Sequence, residues 1–445
     1  MSKTKQGENS DGASKQKIST EPYKGVRDFY PADMAVQTYI FNTMRKVAES
    51  FGYSEYGASV LEPADLYRAK SGEEIVNEQT YTFKDKGDRD VSLRPEMTPT
   101  LARMIAGKLK EFSFPLRWYS IPNLFRYEQP QKGRTREHWQ LNVDIFGVKN
   151  INADVEVIAM ASDIMKAFGL KDTDFEIRIN SRKIVNYILN DVFALSPEVT
   201  QRVSKLIDKK EKMDAKEFKA GIQEFIPERS SEFLTLIDSK NFEEFISKLP
   251  KTASEQEDVA EIKELIERLE KLGITNTVFS QSLMRGFDYY TGIIFEVFST
   301  SQENRRAIFG GGRYDDLLDI FGKEKVPAVG FGMGDVVIRD VLETFKLLPE
   351  IKAVADLYIC TFNDDSIGYA QDLAQKLRNS GLKVSVDYSN KKVGDQIKYA
   401  DKNKIPYIVC IGDEEVKTGK LKLKELKTGN EVQTTDSDIT KEMKR

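Results

Sequence analysis

At 445 residues the chain exceeds a single compact core, so two or three domains are expected, and its 40% hydrophobic and 31% charged composition is that of an ordinary globular protein. The net charge of −4 excludes a surface covered in positive potential but leaves room for a local basic face that binds nucleic acid. One histidine and two cysteines, Cys360 and Cys410 in apolar strand-like runs, exclude a disulfide framework and a zinc site built from those ligands.

No run of about 18 apolar residues occurs, and the N-terminus lacks an apolar signal core, so a cytoplasmic protein without a membrane partner is expected. Residues 1–20 are Ser, Lys, Gln, Glu and Gly with little to bury, which predicts a disordered tail. KGVRDFYPADM (24–34) leads into a helix with Val36, Ile40, Met44, Val47 and Phe51 on one stripe. Gly52 ends it, and Tyr53 to Leu61 reads as a strand closed by Glu62-Pro63. In YTFKDKGDRDVSLRPEMTPTLARMI (81–105), a turn at Asp85–Asp88 separates two short strands before a helix carrying Leu101, Met104 and Ile105. Glu96 and Thr98 stand at the strand-to-helix junction, where Thr98 is a candidate cap with Pro99 at the first helical position.

FRYEQPQKGRTREHWQLNVDIFG (125–147) predicts a β-hairpin: an approach strand Trp118–Arg126, a charged loop, and a second strand from about Trp139. A period of two sends Trp139, Leu141, Val143 and Ile145 to one face and Gln140, Asn142 and Asp144 to the other. The loop gathers Lys132, Arg134 and Arg136 around Gly133, which suits a mobile phosphate contact; a solvated basic tip is the plainer reading.

A helix over 154–167 and a strand over 174–179 follow. Residues 183–273 then turn to long amphipathic helices rich in Lys and Glu, read as a helical insertion whose charge runs, such as Lys209–Lys212, are solvated faces. Strand character returns in LMRGFDYYTGIIFEVFS (283–299), where Arg285, Asp288, Tyr289 and Tyr290 crowd beside Gly286 and Gly292. Those glycines suit close approach to a ligand, and Gly292 is equally a candidate bulge. FGGGRYDDLLDIFG (309–322) and AVGFGMGDVVIRDVLETF (328–345) are glycine-rich strands, the second running into a helix. Beyond Pro349 a βαβαβ pattern begins: strands 355–362, 382–388 and 406–412, helices 366–379 and about 391–403, and a Lys-rich hairpin over 416–432.

These stretches carry a resemblance. FRYEQPQKGR followed by REHWQLNVDIFG resembles motif 2 of class II aminoacyl-tRNA synthetases, and RGFDYYTG resembles the signature of their histidyl-tRNA synthetase family. The helix that follows 24–34, the strand from Tyr53 to Leu61 and the closing proline together resemble motif 1, although a core helix on an edge strand explains the stretch equally well. The 353–445 pattern resembles that family's anticodon-binding domain. The resemblance implies an α+β catalytic domain over 21–348, built on an antiparallel sheet flanked by helices. It would carry a helical insertion at about 185–273 and be followed by the α/β anticodon-binding domain over 353–445.

It further implies ATP-dependent activation of L-histidine to histidyl-adenylate, transfer to the histidine tRNA, Mg²⁺ with the ATP, and a homodimer formed through the catalytic domain. Catalysis would rest on Arg126, Arg285 and Gln140. Glu96, Met97, Thr98, Gln140, Asp144, Arg285, Tyr289 and Tyr290 would bind histidine. Arg126, Glu128, Arg134, His138 and Gly334 would bind ATP, with His138 at the position of an adenine-stacking ring. Gln131, Lys132 and Arg136 would meet the tRNA acceptor end, and Glu296 would be a metal ligand.

Some positions depart from the family: Asp144 is one methylene shorter than the glutamate that many bacterial members carry, His138 stands at the ring position, and motif 3 lacks its arginine. Gly330, Gly332 and Gly334 fit motif 3, but Val337 stands where its arginine is expected. The nearest arginine, Arg339, is two residues on and does not share that helix face. The departure favours the competing reading, a catalytically silent synthetase-like regulator or sensor of histidine or tRNA. Retention of both RGFDYYTG and the C-terminal domain argues against it.

Overall fold

The computed structural model describes residues 18–68, 79–284, 289–303 and 306–443. Most of the expected tail, and Arg285, Gly286, Phe287 and Asp288 of the octapeptide, lie outside the described residues. The chain divides into two compact units, Met1–Pro349 and Glu350–Arg445.

The first unit opens with helix α1 (Pro31–Ser50), whose Val36, Ile40, Met44 and Val47 are buried at helical spacing. Strands β1 (Ser54–Glu55) and β2 (Leu61–Pro63), helix α2 (Ala64–Arg68), strands β3 (Thr82–Lys84) and β4 (Asp90–Leu93), and helix α3 (Thr98–Gly107) follow. The single strand expected from Tyr53 to Leu61 is thus two short ones in different sheets. β1 pairs with the main sheet, whereas Leu61–Pro63 pairs with β4. Buried Glu62, held by Arg103 at 2.7 Å, anchors the chain after the switch.

Next come β5 (Leu116–Ser120), β6 (Asn123–Phe125), β7 (Glu137–Phe146), helix α4 (Asn152–Ala167), β8 (Phe175–Ser181), β9 (Thr277–Phe279), β10 (Ile293–Ser299), β11 (Ala307–Tyr314) and β12 (Ala328–Gly334). The approach strand expected over 118–126 is broken between β5 and β6. Pro122 there has no N–H to give a ladder, and its carbonyl instead accepts from Gln140 N at 3.0 Å.

Among the described residues the main sheet has nine strands in the order β1-β5-β7-β12-β11-β10-β8-β9, with β6 also on β7. Its interior pairs are antiparallel; β1 with β5 and β8 with β9 are parallel. One face is covered by α1, α4 and the helix Asp335–Thr344, and Leu141, Val143 and Ile145 of β7 are buried in that core. Helices from Arg182–Tyr187 to Glu257–Lys271 form the insertion. Their Val203, Phe218, Phe233, Ile262 and Leu265 continue the same buried cluster rather than making a core of their own.

The second unit holds β13 (Leu357–Thr361), β14 (Val384–Val386), β15 (Tyr407–Ile411), β16 (Lys420–Glu425) and β17 (Glu431–Thr435), in the order β14-β13-β15-β16-β17. The first three are parallel and the last two antiparallel, the βαβαβ-plus-hairpin plan legible in the chain. Helix Asp365–Asn379 buries Ala370, Leu373, Ala374 and Leu377 in one cluster, and Val393–Lys402 contributes Ala400 to the other. Cys360 and Cys410 are free thiols facing each other across β13 and β15. Among the described residues no helix is long and apolar enough to cross a membrane.

Candidate active site

The open face of the main sheet is shaped by what β7 projects and what β12 and β11 omit. Gln140, Asn142 and Asp144 of β7 stand opposite Gly334, Gly332 and Gly330 of β12. A side-chain carbon on Gly330 would lie 2.1 Å from Asp144 Oδ1 and 2.4 Å from Val143 O; one on Gly332 would lie 2.1 Å from Gln140 Nε2. These glycines are therefore the space into which the two polar side chains lean. Gly312 of β11 does the same for the Tyr290 ring, 2.9 Å from where its Cβ would stand. Gly334 has open space around it, so no steric need dictates that glycine.

Over this floor lies a cavity that brings together Glu96, Thr98, Arg126, Gln140, Asp144, Tyr289 and Tyr290. These come from the β6–β7 hairpin, the junction before α3 and the octapeptide, three separate stretches of the sequence. Asn142 and Tyr314 line it as well. Neither was among the expected ligands. Asn142 was detectable, because it shares the period-two face of Gln140 and Asp144; Tyr314 had no such signal, because its place follows from where β11 ends in the sheet. Tyr314 donates its hydroxyl hydrogen bond to Asp144 Oδ1.

The electrostatics converge on Asp144. Its Oδ2 is buried and, among the described residues, has no hydrogen-bond partner. Burial lifts its carboxyl to about 7, against the lowering effect of the Tyr314 hydroxyl. A desolvated carboxylate with one oxygen unpaired is an unfinished site for a hydrogen-bond donor. Around it, Tyr289 and Tyr290 pack with ring centroids 4.9 Å apart, and Tyr289 Oη donates to Glu96 Oε2 at 3.4 Å. Gln140 is held by its Nε2 donating to Asn142 Oδ1 at 2.8 Å. Arg126 is anchored by Nε donating to Pro95 O at 2.9 Å, which leaves its terminal nitrogens for the cavity.

Other expected residues are placed differently. Met97 is 1% exposed and does not line the cavity. Thr98 does not cap α3 but is its first residue, with Met97 at the cap position and no side-chain cap bond; Pro99 fits the first turn, where no N–H is needed. Arg136, expected to meet the tRNA, is buried. Its Nη1 donates to Tyr23 Oη at 2.9 Å, its Nε to Glu128 O at 3.2 Å, and its guanidinium lies 3.9 Å from the Tyr127 ring centre. It braces the base of the loop and is not free for a phosphate.

The loop tip itself is a defined turn, closed by Gln131 and Arg134 exchanging backbone hydrogen bonds, with Gly133 at φ +76°. Arg134 is ion-paired to Glu128 at 3.7 Å, while Lys132 is exposed. His138 shares the β7 parity of Gln140 and lies opposite Leu124. Burial and the charges of Arg126 and Arg27 push its imidazolium down to about 3, so it is neutral at physiological pH. Val337 packs against the core. Arg339 is ion-paired to Asp33 at 3.1 Å and Glu343 at 3.2 Å, so it does not take the place of the missing arginine.

Glu296 on β10 shares a cross-strand row with Gly310, Gly332 and Asn142. Among the described residues no group of three His, Cys, Asp or Glu side chains is placed to hold a metal. A single protein carboxylate fits an ion carried by nucleotide phosphates, because Mg²⁺ commonly takes one or two of them.

Comparison with known proteins matches this architecture. The histidyl-tRNA synthetase family model matches residues 25–335, and the anticodon binding domain model matches residues 356–445. The histidine–tRNA ligase of Leptospira biflexa is 42% identical over 434 residues, covering 96% of this chain and 98% of that protein. That of Thermoplasma volcanium is 37% identical, covering 95% and 98%. The crystal structure of histidyl-tRNA synthetase from Nostoc sp. PCC 7120 superposes with a TM-score of 0.82 at 25% identity, covering 96% of this chain and 100% of that one. Apo histidyl-tRNA synthetase of S. aureus superposes at 0.72 with 27% identity, over 96% and 100%. On these matches, with the cavity built from the segments that carry the resemblance, the chain belongs to the histidyl-tRNA synthetase family.

Proposed function

We propose that the first unit condenses L-histidine with ATP to histidyl-adenylate and passes the histidyl group to the terminal ribose of the histidine tRNA, whose anticodon the second unit binds. The observation that carries the reading is Asp144, which lines the cavity beside Tyr289 and Tyr290 and whose buried Oδ2 is unpaired among the described residues. An acceptor there, with phenolic oxygens around it, suits an imidazole that donates from one nitrogen and accepts at the other. Glu96, Thr98 and Gln140 surround the place for the substrate's amino group.

In the first step the substrate carboxylate oxygen attacks the α-phosphorus and pyrophosphate leaves. In the second a ribose hydroxyl attacks the activated carbonyl and AMP leaves. The nucleophiles belong to the substrates, so the protein's task is alignment and stabilisation of charge on the phosphoryl group. Arg126, anchored on Pro95 O, supports that role, joined by Arg285. Glu128 contacts the adenine, and His138, neutral on the same strand face, stacks on it. Mg²⁺ accompanies the ATP with Glu296 as its carboxylate. The enzyme works in the cytoplasm as a homodimer through the first unit.

Val337 is the observation that favours the silent-regulator reading; against it, the cavity gathers Glu96, Arg126, Gln140, Asp144 and Tyr290, and both family models match. Pyrophosphate exchange measured with each amino acid in turn tests the proposal. Exchange dependent on histidine alone is expected; exchange absent with every amino acid would return the regulator reading.

A further inference from the structure

The triphosphate end of the site must gather positive charge, and most cations near the loop of 127–136 are already neutralised. Arg134 is paired with Glu128, Arg136 is buried among Tyr23, Tyr127 and Glu128 O, and Arg339 is paired with Asp33 and Glu343. Arg306, just before β11, is different. Its Nη1 donates to Lys132 O at 2.9 Å and its Nη2 to Gln131 Oε1 at 3.3 Å. Both acceptors are neutral oxygens of the loop. Arg306 is exposed and forms no ion pair among the described residues; the Asp340 carboxylate feels its charge together with those of Lys132 and Arg339, so the charge of Arg306 is held in place and only partly offset.

Its position is informative too. A side-chain carbon on Gly133 would stand 3.5 Å from Arg306 Nη1 and 3.9 Å from both Val337 Cγ2 and Asp340 Oδ2. Arg306 and Val337 thus meet at one point under the loop tip, where the helix Asp335–Thr344 offers an apolar side chain. Two guanidinium groups crowded there would repel each other, so an arginine from the β10–β11 connection and a valine on the helix are a consistent pair.

We propose that Arg306 is a nucleotide-binding residue that contacts the triphosphate of ATP, supplying from the β10–β11 connection the cation absent at Val337. This rests on the histidine-activation reading above. A guanidinium fits adjacent phosphate oxygens through paired N–H donors, and its existing contacts to Lys132 O and Gln131 keep it ordered before ATP arrives.

Histidine-dependent pyrophosphate exchange provides the test, run on the full-length protein, Arg306→Ala, Arg306→Lys, Val337→Arg and the double variant Arg306→Ala/Val337→Arg. Arg306→Ala is expected to raise the KM for ATP at least about tenfold while the KM for histidine stays within about twofold. Arg306→Lys is expected to fall between, because it keeps charge but not the paired donors. Val337→Arg alone should gain nothing, yet in the Arg306→Ala background it should recover most of the lost ATP affinity. An unchanged ATP KM in Arg306→Ala overturns the proposal. So does a joint rise of both KM values, or failure of the double variant to recover, since either makes Arg306 a brace for the loop. Absence of exchange in the unsubstituted protein would instead sink the histidine-activation reading.

Discussion

The two ends of the candidate site are built in opposite ways. The histidine end rests on paired strands: Asp144 and Gln140 lie on β7, the glycines that receive them on β12, and Tyr314 at the end of β11. The end proposed for the nucleotide rests on a turn, Gln131–Arg134, with Arg306 held against it. Discriminating one amino acid requires a donor or acceptor buried at a set distance, and a hydrogen-bonded sheet supplies that rigidity. Holding a triphosphate requires charge at roughly the right place, which an arginine on either side of a loop satisfies. On that contrast, a valine can stand at the motif 3 arginine position provided that another cation meets the phosphates.

The largest expected effect breaks the rigid end. Gly330→Ala would drive a methyl group to 2.1 Å from Asp144 Oδ1, a side-chain oxygen held by the Tyr314 hydroxyl, and to 2.4 Å from the backbone Val143 O, which cannot yield cheaply. Histidine-dependent exchange should fall by at least about a hundredfold in soluble protein with unchanged circular dichroism. Near-normal exchange would show that the floor is pliable.

Asp144→Asn should raise the KM for histidine by a factor corresponding to about 2–3 kcal/mol while sparing ATP. Its stability signature has a definite sign. The folded carboxyl titrates at about 7 against roughly 3.9 in an unfolded chain, so the folded state holds the proton more tightly. Stability is therefore full at low pH and is lost as pH rises toward and through about 7. Calorimetry should find Asp144→Asn indistinguishable from the parent near pH 4 and more thermostable near pH 8. A constant difference in Tm across that range would remove Asp144 as its source.

Tyr314→Phe is a milder test of the same end. Losing the hydroxyl that donates to Asp144 should raise the histidine KM roughly tenfold. It should also move the pH profile of histidine binding upward, because that hydrogen bond holds the carboxyl down. A pure packing role would change the KM without shifting the profile.

The smallest effect belongs to the loop end. His138→Ala should weaken ATP binding by about 1 kcal/mol, the scale of aromatic stacking. With the imidazolium depressed to about 3, the ATP affinity lost on substitution should be the same at pH 6 and pH 8. A loss that grows on acidification would mean that His138 acts as a cation.

Most of this architecture was legible in the chain. The period of two in 139–145 assigned the core and cavity faces of β7, and within the glycine-rich runs Gly311, Gly312, Gly330 and Gly332 stand where side chains must be absent. The βαβαβ order beyond Pro349 needed only local periodicity, which is why its strands and helices were readable at once. Failures came where partners from distant segments decide. Pro122 splits a strand because of the ladder it cannot join, and Tyr53–Leu61 divides because each end finds a different sheet. Arg136 looks like a loop cation in sequence, yet Tyr23, more than a hundred residues earlier, has already claimed it. By itself the sequence determined which faces are polar and which strands lack side chains, since both follow from spacing along one element. Tertiary structure alone decided which charges stay free. Whether an arginine is cancelled depends on carboxylates and rings brought to it by other segments, as the contrast between Arg306 and Arg134 shows.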